Sequence, residues 1–570
     1  MINNLFQDRN NNFKARTACI FACALYLALT LIYFYFGYLG NFTKRITAFD
    51  SAYYYMYLPS LVMDTDLDFS NQIDRLIYPG YAGQTLSATG LPDNNMAVGS
   101  AFLWLPFFML AHGVTLVAEA MGSSLAADGY SDWYQGLVYA GNSLYVAAGL
   151  GLLLCVLVRF TDRRSAMIAG LTTLLTTQLS YYIWSHSAMA HSGSFFAVCV
   201  FLYLYTTRGL GLATVLAAAL MFLVRWQDVL YALPLLWDAV AGLRGPARTV
   251  GKRLAGYAAL VGVFLLAISP QLVVWKILFG SFFSPPPRVQ RLDLLAPHPF
   301  ETLFNLSDGL LSWHPVLALG FAGLILFARR NRPLAARLLL ALLVQFYFIA
   351  SLQWHSGGSF GMRFFVGGLP LFALGLAVLS SEAWKRRWTA ILLGSVLVLL
   401  TLFNQAFVFQ FMHNLVPHAN ALTYEQYIPD KFHLPSIYAA EQHYLAAYDA
   451  IQRQDYLAGY HSARQACSLH SGQDKHCLAA ALLALIVGDD VNSRTRFSAL
   501  AAKRPEEPVY AQGLAVLMAR SGDSADALGL LQGRGDETSV ALVRAMQSGT
   551  TSLEPFFMSQ AFALLNRLQY

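Results

Sequence analysis

Apolar stretches of about 20 residues recur from position 17 to about 411 and then stop. A helix of that length crosses roughly 30 Å of hydrocarbon, so this pattern decides the fold class before any motif is read. Composition agrees: 56% of the residues are hydrophobic and 12% are charged, about half the charged share of a soluble domain. The chain is expected to be all-α, a polytopic membrane helical protein of about eleven or twelve spans followed by a soluble helical domain. The spans read as 17–39, 134–158, 165–184, 190–206, 210–224, 227–243, 254–277, 309–328, 334–353, 363–381 and 389–411. Six Cys in 570 residues exclude a disulfide scaffold, and the composition excludes disorder. A net charge of +6 is too small to imply nucleic acid as a partner.

Basic clusters give the sidedness. Arg163-Arg164, Arg208, Arg244 to Arg253, Arg329-Arg330-Arg332 and Lys385-Arg386-Arg387 fall at every second connection, as the excess of Lys and Arg in cytoplasmic loops predicts. That register puts the N-terminus, with Arg9, Lys14 and Arg16, in the cytoplasm. The first loop (40–98) and the tail after 411 then lie outside it. Segment 99–120 must begin and end outside, so it is expected to be re-entrant or to lie along the membrane surface. The first span is too long for a cleaved signal peptide and reads as a retained anchor. The short spans 210–224 and 227–243 flank Arg225-Trp-Gln-Asp228 at the external face. A charge there is either a functional group or, with Asp228, an ion pair that caps a helical hairpin.

Residues 1–411 therefore form a membrane domain, 412–439 a linker and 440–570 a polar, Ala-rich helical domain. The last carries a repeat: Gln454-Asp455, Gly488-Asp489 and Gly522-Asp523 recur every 34 residues, with small residues four later at Gly459, Ser493 and Ala527. This resembles tetratricopeptide repeats, whose paired helices need small residues where they approach. A helical bundle with a coincidental period is the alternative. Cys467 and Cys477 bracket the turn between the first two copies, where an oxidising compartment allows a disulfide.

The first loop holds the densest acidic cluster of the membrane half. Asp50 follows the first span by about ten residues, Tyr53, Tyr54, Tyr55 and Tyr57 follow it with the spacing of an interfacial helix, and Asp64, Asp66 and Asp68 close that helix. Asp50 can also be an ordinary helix cap. The order of these features, with a Pro-bearing apolar segment after the loop, short paired spans tipped by a basic residue and an external C-terminal domain, resembles the GT-C superfamily of integral membrane glycosyltransferases. Protein O-mannosyltransferases and the aminoarabinose transferases of lipid A belong to it. The resemblance covers about 17–411. It implies Asp50 as catalytic base, a sugar donor linked to polyprenyl phosphate, and inverting displacement at the anomeric carbon. Sidedness points the same way, because nucleotide sugars are cytoplasmic and an external transferase needs a donor already carried across on lipid.

The departing phosphate calls for cations at the external edge, and Arg225, Arg288, Arg291 and Arg363 are available. Lys44 and Arg45 read as snorkelling residues. Three pairs, Trp184/His186, Trp313/His314 and Trp354/His355, reach the same face, with His191 just beyond the first. Each pair is either a membrane anchor or a sugar-stacking and hydroxyl-binding group. Tyr54, His186, His191, His314, Trp354, His355 and Asp66 are the candidate sugar and acceptor contacts. No obligatory metal is expected, although carboxylates such as these suit Mg2+ or Mn2+. Gly357-Gly358-Ser359-Phe360-Gly361, before Arg363, reads as a flexible turn or an amide nest for phosphate. A transporter or flippase of a lipid-linked substrate, and a non-catalytic scaffold, are the competing readings. The expected setting is a bacterial inner membrane, multi-pass, with the repeats in the periplasm binding a protein acceptor or partner.

Overall fold

A computed structural model of the chain describes residues 24, 27–28, 49–77, 85–184, 188–244, 247–283, 292–352, 359–416, 422, 424–532, 534–548 and 553–569. The fold is all-α: among the described residues, β pairing is confined to two isolated bridges, Leu86 with Pro92 and Leu292 with Leu352. The expected first span, 17–39, lies outside the described residues but for three positions. The chain divides into two compact units, Met1–Val408 and Phe409–Tyr570.

The first unit opens with α1 (Phe49–Pro59) and α2 (Ser70–Leu76). Then come α3 (Gly99–Ala120), α4 (Asp132–Phe160), α5 (Arg163–Leu175), α6 (Leu179–Trp184), α7 (Ala190–Arg208), α8 (Leu212–Val224), α9 (Leu233–Leu243) and α10 (Ala247–Phe279). Two short helices, α11 (Pro299–Phe304) and α12 (Leu310–Trp313), precede α13 (Val316–Phe327), α14 (Arg332–Ala350), α15 (Leu369–Ala383) and α16 (Arg387–Met412). Among the described residues, six stretches are long and apolar enough to cross a membrane: Gly99–Ala120, Asp132–Phe160, Val250–Phe279, Arg332–Ala350, Arg363–Ala383 and Arg387–Met412. The chain is a membrane protein.

Four expected spans are not single α-helices: 363–381 opens as a 3-10 turn, Arg363–Gly368, before Pro370 starts α15, and three others break for local reasons. The 165–184 stretch breaks after α5, where the Thr176 and Thr177 hydroxyls bond back to the Thr172 and Thr173 carbonyls at 2.6 Å. The 227–243 stretch begins as a 3-10 turn, Trp226–Ala232, before Pro234 opens α9. The 309–328 stretch breaks at His314, which precedes Pro315 and is held out of the helical region at φ −129°, ψ 67°. Elsewhere small residues let helices meet closely. The backbone of Gly375 on α15 fills the space a Cβ on Gly323 of α13 would need.

The turns sort to two ends of the bundle. At one end Arg330, after α13, donates to the Phe160 carbonyl at 2.9 Å and to Glu382 at 2.6 Å, and Arg164 lies over the Trp384 ring at 4.1 Å. The other end gathers the starts of α1, α7 and α15 and the end of α8. The 99–120 segment, expected to be re-entrant or to lie along the membrane surface, does not fold back on itself. It is one uninterrupted helix of 22 residues, because Pro106 in its second turn removes a single hydrogen bond and the remaining residues are strongly apolar helix formers. It starts against the backbone of Leu223 and Val224 and runs antiparallel along the first half of α4, with Trp104 bonded to Asn142 at 3.1 Å and His112 to Tyr134 at 2.6 Å.

The second unit is built from helical hairpins: α17 (Leu434–Gln452) with α18 (Tyr456–Leu469), α19 (Asp474–Val487) with α20 (Asp490–Lys503), and α21 (Pro508–Arg520) with α22 (Ser524–Leu531); α23 (Glu537–Gln547) and α24 (Glu554–Gln569) follow. The repeated dipeptide is the turn inside each hairpin. Gly488 and Gly522 take left-handed φ of +83° and +91°, and Gln454 takes the same conformation at φ 61°. Asp455 and Asp489 then cap the next helix, accepting from Ala458 and Asn492 amides at 3.1 and 3.2 Å. Gly459, Ser493 and Ala527 are buried where the paired helices touch. Cys467 and Cys477 are joined in a disulfide that ties α18 to α19.

Candidate functional site

Asp50 stands in the first turn of α1. Its carboxylate accepts from Arg363 Nη1 at 2.7 Å, with the two side chains only 19% and 10% exposed. Arg363 is delivered by a 3-10 turn, Arg363–Gly368, that leads directly into α15. The turn before it pivots on Gly361, at left-handed φ +60°, where a Cβ would also collide with the His314 ring.

Arg225 arrives from the opposite side. The chain leaves α8 in an extended conformation at Arg225 (φ −151°, ψ 104°), which turns the side chain into the bundle. Its Nη1 donates to His191 Nδ1 at 2.5 Å and to the Arg363 carbonyl at 3.3 Å. Since Arg can only donate, Nδ1 of His191 must be the bare nitrogen. With its amide oxygen turned inward, Gln227 accepts from Nη2 at 2.8 Å and Nε at 3.0 Å. The Phe364 ring lies under both guanidinium groups, 5.2 Å from Arg225 and 5.9 Å from Arg363. Arg225 is 6% exposed. A cation so buried, on the end of an apolar helix, is costly unless it has work to do.

Carboxylates surround the cations. Asp228 is fully buried, accepts from Ser194 on α7, and abuts Gly367, whose missing side chain makes room for it. Asp308, 3% exposed in the turn before α12, lies within electrostatic reach of Arg363. Burial pushes its carboxyl from the ordinary 3.8 up to about 7, and Arg363 offsets part of that rise. One of its oxygens, Oδ1, has no hydrogen-bond partner among the described residues. Between pH 4 and pH 7 the folded chain therefore holds a proton that the unfolded chain has released, so stability falls as pH rises through this window, at about 1.4 kcal/mol per unit. Asp308→Asn, neutral throughout, is expected to lose this slope. Melting of the purified protein followed at pH 5 and pH 8 checks it, and parallel pH profiles for both proteins would disprove the assignment.

The remaining expected site residues sort differently. Tyr54, one helical turn beyond Asp50, is 9% exposed and meets Trp104 edge-on at 6.4 Å. His191 packs against Tyr182 at 4.4 Å with the rings tilted by 46°, and the Tyr182 hydroxyl donates to the Phe360 carbonyl at 3.4 Å. Trp313 and His314 belong to the core. Trp313 stacks on Phe407 at 4.8 Å, and His314, fully buried, bonds through Nδ1 to Asn404 Oδ1 at 3.0 Å. The Asn404 amide nitrogen is already spent on the Leu175 and Thr177 carbonyls at 3.0 and 3.1 Å, so His314 must be the donor. Asp64, Asp66 and Asp68 each close local turns: Asp66 accepts from Ser60 at 3.1 Å, Asp68 from the Ser70 hydroxyl at 2.6 Å, and Asp64 from Gln72 at 2.6 Å. His186, Arg288, Arg291, Trp354 and His355 lie outside the described residues.

Beside this cluster a cleft of about 760 Å3 opens between the Ser60–Asp64 turn, α3 and α10. Leu67, Val98, Val274 and Pro270 form its apolar wall, with Asp66 and Asp68 at one edge. Val98 precedes Gly99, which rests on the Val224 backbone next to Arg225. Asp308, Ser194 and Tyr182 join the candidate site without having stood out in the sequence, whereas Asp228 was read there only as a hairpin-capping partner of Arg225 and joins it by accepting from Ser194. Asp308 had one signal, a polar Asn-Leu-Ser-Asp turn interrupting an apolar region. No protein-family model, curated protein or solved structure matches the chain.

Proposed function

We propose that the protein is an integral membrane glycosyltransferase that moves a sugar from a polyprenyl-phosphate carrier to an acceptor hydroxyl. The observation that carries this reading is the meeting of Asp50, Arg363 and Arg225, from three distant segments, at the bundle end away from the basic turns. Under the positive-inside rule that end faces out of the cytoplasm. In a bacterial inner membrane it faces the periplasm, along with the tetratricopeptide-like hairpins, which would present a surface to a protein acceptor or partner.

In the proposed step the acceptor oxygen attacks the anomeric carbon from the face opposite the phosphate, and Asp50 takes its proton. The bond from that carbon to the phosphate oxygen breaks, and the electron pair leaves on the phosphate. The products are an inverted glycoside, polyprenyl phosphate and protonated Asp50. Charge moves in the right sense: Asp50 loses its negative charge as the phosphate gains one, so Arg363 is released by the first and drawn to the second. Arg225 supplies the other cation. The apolar wall of the neighbouring cleft suits a prenyl tail.

The test is transfer by purified protein supplied with a synthetic polyprenyl-phosphate sugar, together with a comparison of glycoconjugates from wild-type and deletion cells. The expected result is a glycan missing from the deletion cells and donor consumption that needs an acceptor. Identical glycans in both, with labelled lipid crossing vesicles unaltered, would favour a flippase instead.

A further inference from the structure

At the basic end of the bundle lies a second cleft, of about 560 Å3, between α13, the end of α15 and the first half of α16. Its origin is a difference in packing. α13 and α15 are in backbone contact through Gly320, Gly323 and Gly375. α16 is pinned by its second half, where Asn404 bonds the Leu175 and Thr177 carbonyls and Phe407 stacks on Trp313. Its first half stands off, leaving Leu392 66% exposed.

The lining has two chemistries. Leu319, Leu379, Leu393 and Val396 make an apolar floor, and Lys385 and Arg386 stand on the rim. The carboxylate in the lining, Glu382, is already held by Arg330 and Lys385 at 2.6 Å each, so the local balance stays positive. The first turn of α16 opens at the same rim and adds the positive end of a 26-residue helix. An apolar slot under a cationic rim, at the end of membrane-crossing helices, complements a phosphate headgroup with an acyl chain below it.

We propose that this cleft binds an anionic phospholipid, with the phosphate at Lys385 and Arg386 and one acyl chain along Leu319, Leu379 and Val396. The lipid would fill the gap on which α16 now borders and so brace the helix that carries Asn404.

The test uses full-length protein, stripped of lipid in detergent and titrated with phosphatidylglycerol or phosphatidylcholine of identical acyl chains, with retention read by native mass spectrometry. Phosphatidylglycerol is expected to bind at least ten times more tightly. The double variant Lys385→Gln/Arg386→Gln is expected to lose roughly 30-fold, equivalent to about 1 kcal/mol for each cation. Arg386→Gln alone, with roughly a fivefold loss on the same scale, keeps the test open if the double variant does not fold. Lys276→Gln, at the opposite end, should change nothing. Equal retention of the two lipids by the wild type, or an unchanged preference in the variants, overturns the proposal. So does displacement of phosphatidylglycerol by inorganic phosphate, which would reduce the cleft to a headgroup-only anion site.

Discussion

Asp50→Asn is expected to lose between about 10² and 10⁴ of sugar transfer while the protein remains folded, the range that removal of a general base commonly costs. Asn keeps the shape and can still accept from Arg363, so the 2.7 Å contact survives in weakened form. What disappears is the basicity that takes the acceptor proton. Donor affinity should not fall, because Arg363 is freed from its carboxylate and becomes more available to phosphate. Arg363→Gln should do the reverse in part: it leaves the base in place but removes a cation from the leaving group, lowering kcat by about 10²–10³ and weakening donor binding as well. Measuring kcat and KM for both variants separates a base from a mere ion-pair partner. Transfer by Asp50→Asn within threefold of wild type would end the assignment.

Much of the membrane architecture was legible as length and hydropathy. Helices such as α4, α10, α14 and α16 need only enough apolar residues in a row. The broken spans were not legible, because their breaks depend on partners far along the chain: the turn after α5 tolerates its polar residues since Asn404, more than 220 positions away, bonds its carbonyls. The same limit applies to the site. Asp50, Arg225 and Arg363 stand out in the sequence as charges beside apolar runs, but nothing in it pairs Asp50 with a residue 313 positions later. Nothing in the sequence marks Asp308 as buried, since burial is a property of the packed fold. Trp313 and His314 misled in the opposite direction: an aromatic and an imidazole at a span end resemble an interfacial pair, yet Phe407 and Asn404 draw them into the core.

The second large effect is expected in the other unit, at Glu441. This residue is 3% exposed and uses both carboxylate oxygens, one on Lys475 at 2.8 Å and one on His476 at 2.9 Å. Burial alone would raise its pKa, but the hydrogen bond from His476 and the charge of Lys475 outweigh that and hold it below the ordinary 4.5. Its stabilising contribution is thus complete above pH 4.5 and is lost as pH falls through the lower folded value. Glu441→Gln removes the charge but leaves the Lys475 ammonium buried at 6% exposure, and breaking a buried pair from one side costs about 3–5 kcal/mol. Replacing both partners, as Glu441→Met/Lys475→Met, should recover most of the loss, since two apolar side chains leave no charge unpaired. The chain offers a clean readout: all ten Trp residues fall at or before Trp388, so the second unit has none. Urea unfolding followed by far-UV circular dichroism should show a helical transition that is silent in Trp fluorescence. That transition should move to lower urea in Glu441→Gln and back again in the double variant. An unmoved transition in the single variant would mean that Lys475 finds water or another carboxylate, and that the buried pair contributes little.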